Sequence, residues 1–319
     1  MNKSNIIKYG LFAVVGALII YSIYNSFDYN AFKTNIQNAN VFYIILSVSG
    51  GVVAVLLRAL RWQLILKPMG YNPSLSNAYH STMSGYLVNL GIPRTGEVYR
   101  CAVLAKTENI PVNVLVGTVV SERILDLIML VLVITSSVLL QFDLLYGFIY
   151  DNLLIKLIQN KILLSIVLGV FVLGIIFLLK NKSLWKSEGK IANIFKGFAN
   201  GLKSVFNLEK PFLFTVYTLG IWICYWIMTT FVLLAFDYTN SLGGVGGICV
   251  LVFSSLGVII PAPGGIATIK SVEIGLSQIF KFTISQANAV GMVLFFSNFL
   301  MIILAGSISF GIMAFRTKV

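Results

Sequence analysis

The chain has 319 residues, of which 58% are hydrophobic and only 11% charged, with a mean hydropathy of +0.91. Soluble domains carry about 25% charged residues, so these numbers exclude a water-soluble protein and describe a polytopic membrane protein, a single integral membrane domain over 1–319. No run of about 100 polar residues is present to fold as a soluble catalytic module, and the net charge of +12 comes without a basic globular module, which argues against a nucleic-acid partner.

Apolar windows place the elements in chain order. The first span is expected at 7–27, behind a basic flank with Lys3 and Lys8 and without a small-x-small cleavage site, so it reads as an uncleaved anchor rather than a signal peptide. Spans follow at 41–66, 112–140, 161–180, 211–236 and 284–314. Residues 75–105 are too polar and broken for an ordinary span, and 243–281 is apolar but interrupted by "PAPGG". Lysines crowd "KNKSLWKSEGK" and continue through Lys196, Lys203 and Lys210, the mark of a cytoplasmic loop facing anionic lipid. An amphipathic helix is expected there over about 186–208, with Ile191, Ile194, Phe195, Phe198, Leu202 and Val205 on its apolar face.

Lysine and arginine in the flanks put both termini in the cytoplasm, and the membrane is expected to be the cytoplasmic (inner) one. Six full spans satisfy the charge pattern if 75–105 and 243–281 are re-entrant hairpins entering from opposite sides; eight spans is the alternative. The hairpin reading makes an inverted-topology repeat, about 41–140 and 211–314, and transporters place substrate sites where such repeats meet. The tips "GIPRTGE" and "IIPAPGG" share Ile-Pro followed three residues later by Gly.

Several charges stand where lipid should be. Glu122, Arg123 and Asp126 lie inside the 112–140 span, Glu122 roughly 15 Å from its start at 1.5 Å per residue. Glu122 and Asp126 share a helix face at i,i+4, and Arg58 and Arg61 share one at i,i+3. Charges near the midplane cost about 2.5–3.5 kcal/mol each on insertion scales and persist when paired or lining a hydrated cavity. Arg58, Arg61, Arg94, Arg100 and Arg123 face Glu97, Glu122 and Asp126, leaving a positive surplus for an anion. Five of the six arginines fall between residues 58 and 123, and guanidinium grips phosphate through two donors even when desolvated. Blander readings stand beside this one: Arg61, and less easily Arg58, snorkels to the interface; Glu122, Arg123 and Asp126 only fix helix packing; Arg94, Glu97 and Arg100 sit in a plain cytoplasmic loop; "PAPGG" is an ordinary turn. At the second hairpin, Gly264 and Gly265 let a group approach the backbone, the restarting helix offers free amides, and Lys270 and Glu273 follow at i,i+3. Cys101, Cys224 and Cys249 form no CxxC pattern and His80 is the single histidine, so no metal site and no cofactor are expected.

"NLGIPRTGEVYR", "SERILD" and "IIPAPGG", in this order, resemble the flippase-like membrane domain of bacterial lysylphosphatidylglycerol synthases over roughly 40–315. The resemblance marks Asn89, Pro93, Arg94, Gly96, Glu97, Arg100, Glu122, Arg123, Asp126, Pro261, Pro263, Gly264 and Gly265. The family's small glycine step and glutamate after Pro-Gly-Gly fall here on Ala267 and Lys270, with Glu273 one turn later as a substitute. It implies a free-standing relative without the soluble synthase domain, in a family whose two-domain members are associated with moving an aminoacylated phospholipid to the outer leaflet. The leading expectation for this chain is a non-enzymatic lipid translocase with an anionic phospholipid or polyprenyl phosphate as substrate. An integral membrane enzyme acting on a lipid-linked sugar or phosphate, with Glu122 and Asp126 as acid and base, and a non-catalytic partner of such an enzyme are the alternatives.

Overall fold

A computed structural model describes residues 39–92, 94–142, 208–260 and 265–317, with Lys33 and Gln37. The expected span at 7–27, the span at 161–180, the amphipathic helix at 186–208 and the tip residues Pro93, Pro261, Pro263 and Gly264 lie outside them.

The described residues form eight α-helices and no strand. The first set is α1 (Val41–Leu66), α2 (Leu75–Gly91), α3 (Gly96–Glu108) and α4 (Val112–Leu140). The second is α5 (Pro211–Leu234), α6 (Gly243–Ile259), α7 (Ala267–Ile274) and α8 (Ile284–Arg316). A π-helical turn, Gly275–Ile279, prolongs α7. Local chemistry sets several starts. The Asn40 side chain accepts from the Phe42 amide before α1, Ser74 accepts from Asn77 before α2, and Thr283 with Gln286 forms a capping box before α8. Among the described residues, five helices are long and apolar enough to cross a membrane: α1, α4, α5, α8, and α6 with its leading turn. This is an all-α polytopic membrane fold.

Contacts at the helix ends give the topology. Asn40 at the start of α1 donates its backbone amide to the Ala235 carbonyl at the end of α5, and Lys67 past the end of α1 pairs with Glu209 before α5 at 2.7 Å. The two helices therefore run antiparallel. α2 and α3 pack together and return to the end of the bundle where they began: Glu108 Oε1 accepts from the Ser74 amide and hydroxyl at 2.9 Å and from Asn77 Nδ2 at 2.6 Å. Arg316 at the end of α8 hydrogen-bonds Ser76 and Asn77 at this same end. α6 and α7 return to the opposite end, where Tyr238 touches Phe282 and hydrogen-bonds the Gln286 carbonyl. The first set packs α1 on α2, α2 on α3 and α3 on α4; the second packs α5 on α6, α6 on α7 and α7 on α8. Across the sets, α2 lies on α8 as α6 lies on α4.

The arms match in length as well. α2 and α6 each have 17 residues and stop one residue before an Ile-Pro pair, whereas α1 and α8 have 26 and 33. Seventeen residues rise about 25 Å, short of a hydrocarbon core of about 30 Å. Although α6 with its leading turn is long and apolar enough to span, α7 packs back along it.

Close approach inside the first hairpin rests on two glycines. A Cβ on Gly96 would stand 2.0 Å from the Gly85 carbonyl oxygen, and one on Gly85 would stand 2.7 Å from the Gly96 carbonyl oxygen. Both obstacles are backbone, so Gly96→Ala is expected to splay α2 from α3 and cost about 1–3 kcal/mol, read as a lower melting temperature in detergent. Gly311→Ala, which meets nothing within 4 Å, is the neutral control.

Candidate functional site

The site grows from three helices of the first set. α1 carries Arg58 and Arg61 one turn apart on a buried face toward α4. Asp126 answers both: Arg58 Nη2 donates to Oδ2 at 2.7 Å and Arg61 Nη2 to Oδ1 at 3.0 Å. Arg58 Nε also donates to the Tyr225 hydroxyl of α5 at 2.9 Å, which ties the second set to the cluster. One turn earlier on α4, Glu122 accepts from Arg100 Nη2 of α3 at 2.6 Å. The Arg100 guanidinium lies 4.6 Å over the Trp62 ring, whose Nε1–H donates to Thr118 at 2.8 Å. Arg58, Arg61, Arg100 and Glu122 are buried; Arg61 and Glu122 have no exposed surface at all.

Arg123 points the other way. It pairs with Glu97 at the start of α3 at 2.8 Å and reaches Asp126 at 3.6 Å, and its side chain is 44% exposed. The surface around it is apolar: Val98 next to Glu97 and Leu127 one turn beyond Arg123 are both exposed. Glu97 in the first turn of α3 also complements the positive end of that helix.

Arg94 occupies the first tip in a left-handed conformation, φ +67°, unusual for a side chain with a Cβ. Its Nη2 donates to the Ile259 carbonyl at 3.3 Å, at the tip of the other hairpin. Two hairpins entering from opposite ends of the bundle thus meet tip to tip. Asn89 holds the first tip closed by accepting from the Gly96 amide at 2.7 Å, and Gly265, φ +79°, takes the second through its turn. Val258, Ile259 and Ile260 beside the contact are exposed.

Four guanidinium groups against three carboxylates leave one positive charge in the frame, and Arg94, with no carboxylate partner among the described residues, adds a second. Arg61 Nε and Nη1, Arg100 Nε and Glu122 Oε1 are buried with no hydrogen-bond partner among the described residues. Each such group carries a penalty of about 1–3 kcal/mol, so the frame is biased toward further polar company of negative sign.

Arg58, Glu97, Arg123 and Asp126 are brought together in one ion-paired network, with the Arg100–Glu122 pair one turn away along α4. Arg61 does not snorkel: full burial and the Asp126 pair make it part of the network, because α4 delivers a carboxylate to its face. Its i,i+3 spacing from Arg58 was the available signal. Tyr225 and Trp62 carried none, since their roles arise from contacts between separate helices. Lys270 and Glu273 pair with each other on α7, Glu273 also accepts from Asn288 Nδ2 of α8, and no ion pair among the described residues joins them to the arginine network. A polar Asn288 one turn into the last apolar span was a legible hint. Gly264 is outside the described residues, and no cluster of metal-binding side chains occurs among them.

An all-α, multi-pass membrane protein with two opposed hairpins meeting beside a buried arginine–carboxylate frame is the class that fold and site define. The chain belongs to the lysylphosphatidylglycerol synthase TM region family, whose pattern matches residues 5–306. It is 29% identical over 129 residues to the UPF0104 membrane protein MJ1595 of Methanocaldococcus jannaschii, covering 40% of this chain and 38% of that one. It is 27% identical over 231 residues to the UPF0104 membrane protein MJ1078 of the same organism, covering 70% of this chain and 92% of that one. No solved structure matches significantly.

Proposed function

We propose that the protein is a lipid translocase that passes an anionic headgroup, of a phospholipid or a polyprenyl phosphate, between leaflets while the tails stay in the bilayer. The observation that carries this reading is Arg94, an arginine without a carboxylate partner among the described residues, placed where the tips of two opposed hairpins touch. Arg94 and Arg123 face the headgroup. The buried pairs, Arg100 with Glu122 and Arg58 and Arg61 with Asp126, hold the frame on which Arg123 is mounted. Exposed Val98, Leu127 and Val258 to Ile260 around these arginines favour lateral entry from lipid over entry of a water-soluble anion. The two helix sets act as inverted repeats, each hairpin gating one side.

Pairing of Glu122 and Asp126 with arginines favours transport over acid–base chemistry, since neither carboxylate is free to shuttle a proton to a substrate. The bundle end bearing Lys67, Lys106, Lys210 and Arg316 against Glu108 and Glu209 is assigned to the cytoplasm of the inner membrane.

Reconstitution into liposomes with leaflet-resolved headgroup labelling, across a panel of anionic lipids, tests the proposal. Protein-containing vesicles are expected to exchange at least one of them faster than empty vesicles. Equal rates for every lipid, with and without a proton gradient, would reject it.

A further inference from the structure

Among the ion pairs of the arginine frame, one differs from the rest in exposure. The side chains of Arg58, Arg61 and Asp126, and of Arg100 and Glu122, are at most 13% exposed. Those of Arg123 and Glu97 are 44% and 37% exposed. Val98 and Leu127 beside them are exposed as well. A ligand arriving along this apolar surface can therefore reach the Arg123–Glu97 pair without parting the buried ones.

Glu97 is also the replaceable carboxylate. Both Asp126 oxygens are engaged by Arg58 and Arg61 at 2.7 and 3.0 Å, and Arg123 reaches Asp126 only at 3.6 Å. Glu122 is committed to Arg100. Drawing Asp126 or Glu122 away would strand a buried guanidinium. Exchanging Glu97 for another oxyanion leaves Arg123 paired, and Glu97 keeps the positive end of α3, in whose first turn it stands. The exchange is chemically even-handed: Arg123 Nε meets a Glu97 oxygen at 2.8 Å, and guanidinium holds carboxylate and phosphate oxygens through the same donors. Glu97 also stands three residues beyond Arg94, whose own hydrogen bond goes to a neutral carbonyl.

We propose that Glu97 is a built-in competitor for the headgroup: its carboxylate occupies Arg123 in the empty protein, and a lipid-borne phosphate displaces it. The inference rests on the translocase reading, which places Arg94 and Arg123 at the headgroup, and adds how that site is guarded and emptied. A tethered competitor weakens every ligand by the fraction of time it holds the site. It also never diffuses away, so its return to Arg123 speeds release of the lipid.

Thermal-shift titration of the full-length protein in neutral detergent tests the exchange without reference to transport, since a ligand of the folded state raises the melting temperature. Phosphatidylglycerol is added in one arm and a polyprenyl phosphate in the other, which separates the two sources of the phosphate. Glu97→Gln, which keeps the shape of the side chain, is expected to respond to at least one of them at a concentration about 10-fold lower than the wild type. That is the factor for a competitor seated about nine-tenths of the time. Arg123→Gln is expected to need more lipid, and Glu97→Gln added to it is expected to bring no gain, because nothing is left to compete for. No response to either lipid, or an unchanged or weaker response in Glu97→Gln, overturns the proposal. So does an equal gain in the Arg123→Gln background, which would mean charge repulsion without displacement. Wild-type vesicles that move no lipid while the titrations behave as expected would end the translocase reading and leave the competition standing.

Discussion

Replacing Glu122 by alanine is expected to destabilise the protein by about 3–5 kcal/mol, the cost of stranding a buried charge by removing its partner. Glu122 is fully buried and takes Arg100 Nη2 at 2.6 Å. Without it, Arg100 stays over Trp62 with no carboxylate in reach. The frame, which already carries one excess positive charge, then carries two. Thermal melting in detergent reads the loss directly. The double replacement Arg100→Met with Glu122→Leu removes both charges together and is expected to recover most of the stability, because apolar pairs of similar volume replace buried ion pairs at little cost. A Glu122→Ala protein that melts like the wild type would mean that the pair is hydrated and that the frame is not buried as described.

Arg94→Gly is expected to leave stability unchanged or slightly raised while lowering lipid translocation about 10- to 100-fold. The two effects separate because of backbone geometry. Arg94 sits at φ +67°, where glycine is at ease and an arginine is not, so the substitution relieves the turn while deleting the guanidinium. The activity loss follows from a charge-assisted hydrogen bond worth about 1.5–3 kcal/mol. Arg94→Lys keeps a charge at the tip but loses the two-pronged donor, and an intermediate rate is expected. Melting temperature and leaflet-resolved labelling on the same preparation separate site from scaffold. Wild-type transport by Arg94→Gly would remove this residue from the mechanism.

Helix positions were legible to within a few residues because lipid leaves the backbone few options: a long apolar run with no water to satisfy its amides becomes a helix. The run at 41–66 is α1 as Val41–Leu66, and 112–140 is α4 as Val112–Leu140. Polar, broken 75–105 is a hairpin ending at Glu108, its return fixed by hydrogen bonds at Ser74. The restart of a helix after "PAPGG" was readable, but its change into a π turn at Gly275 was not, since no local signal separates a π turn from a continuing α-helix.

The charges divide the same way. That Arg58, Arg100, Glu122, Arg123 and Asp126 needed partners followed from the cost of charge in hydrocarbon. Who partners whom did not follow. Arg61 stands near a helix end and was equally able to reach water; only the seating of α4 against α1 closed that route and gave it Asp126. Tyr225, 167 residues away from Arg58 along the chain, enters the frame because α5 runs antiparallel to α1. Composition and periodicity by themselves determined a helical membrane protein with an excess of buried arginine. The tertiary structure decided which arginines are locked in ion pairs and which one, Arg94, has no carboxylate partner among the described residues at the meeting of the hairpins, because pairing in a low-dielectric interior depends on the few ångströms between helices, and sequence spacing along one helix does not encode the distance to another.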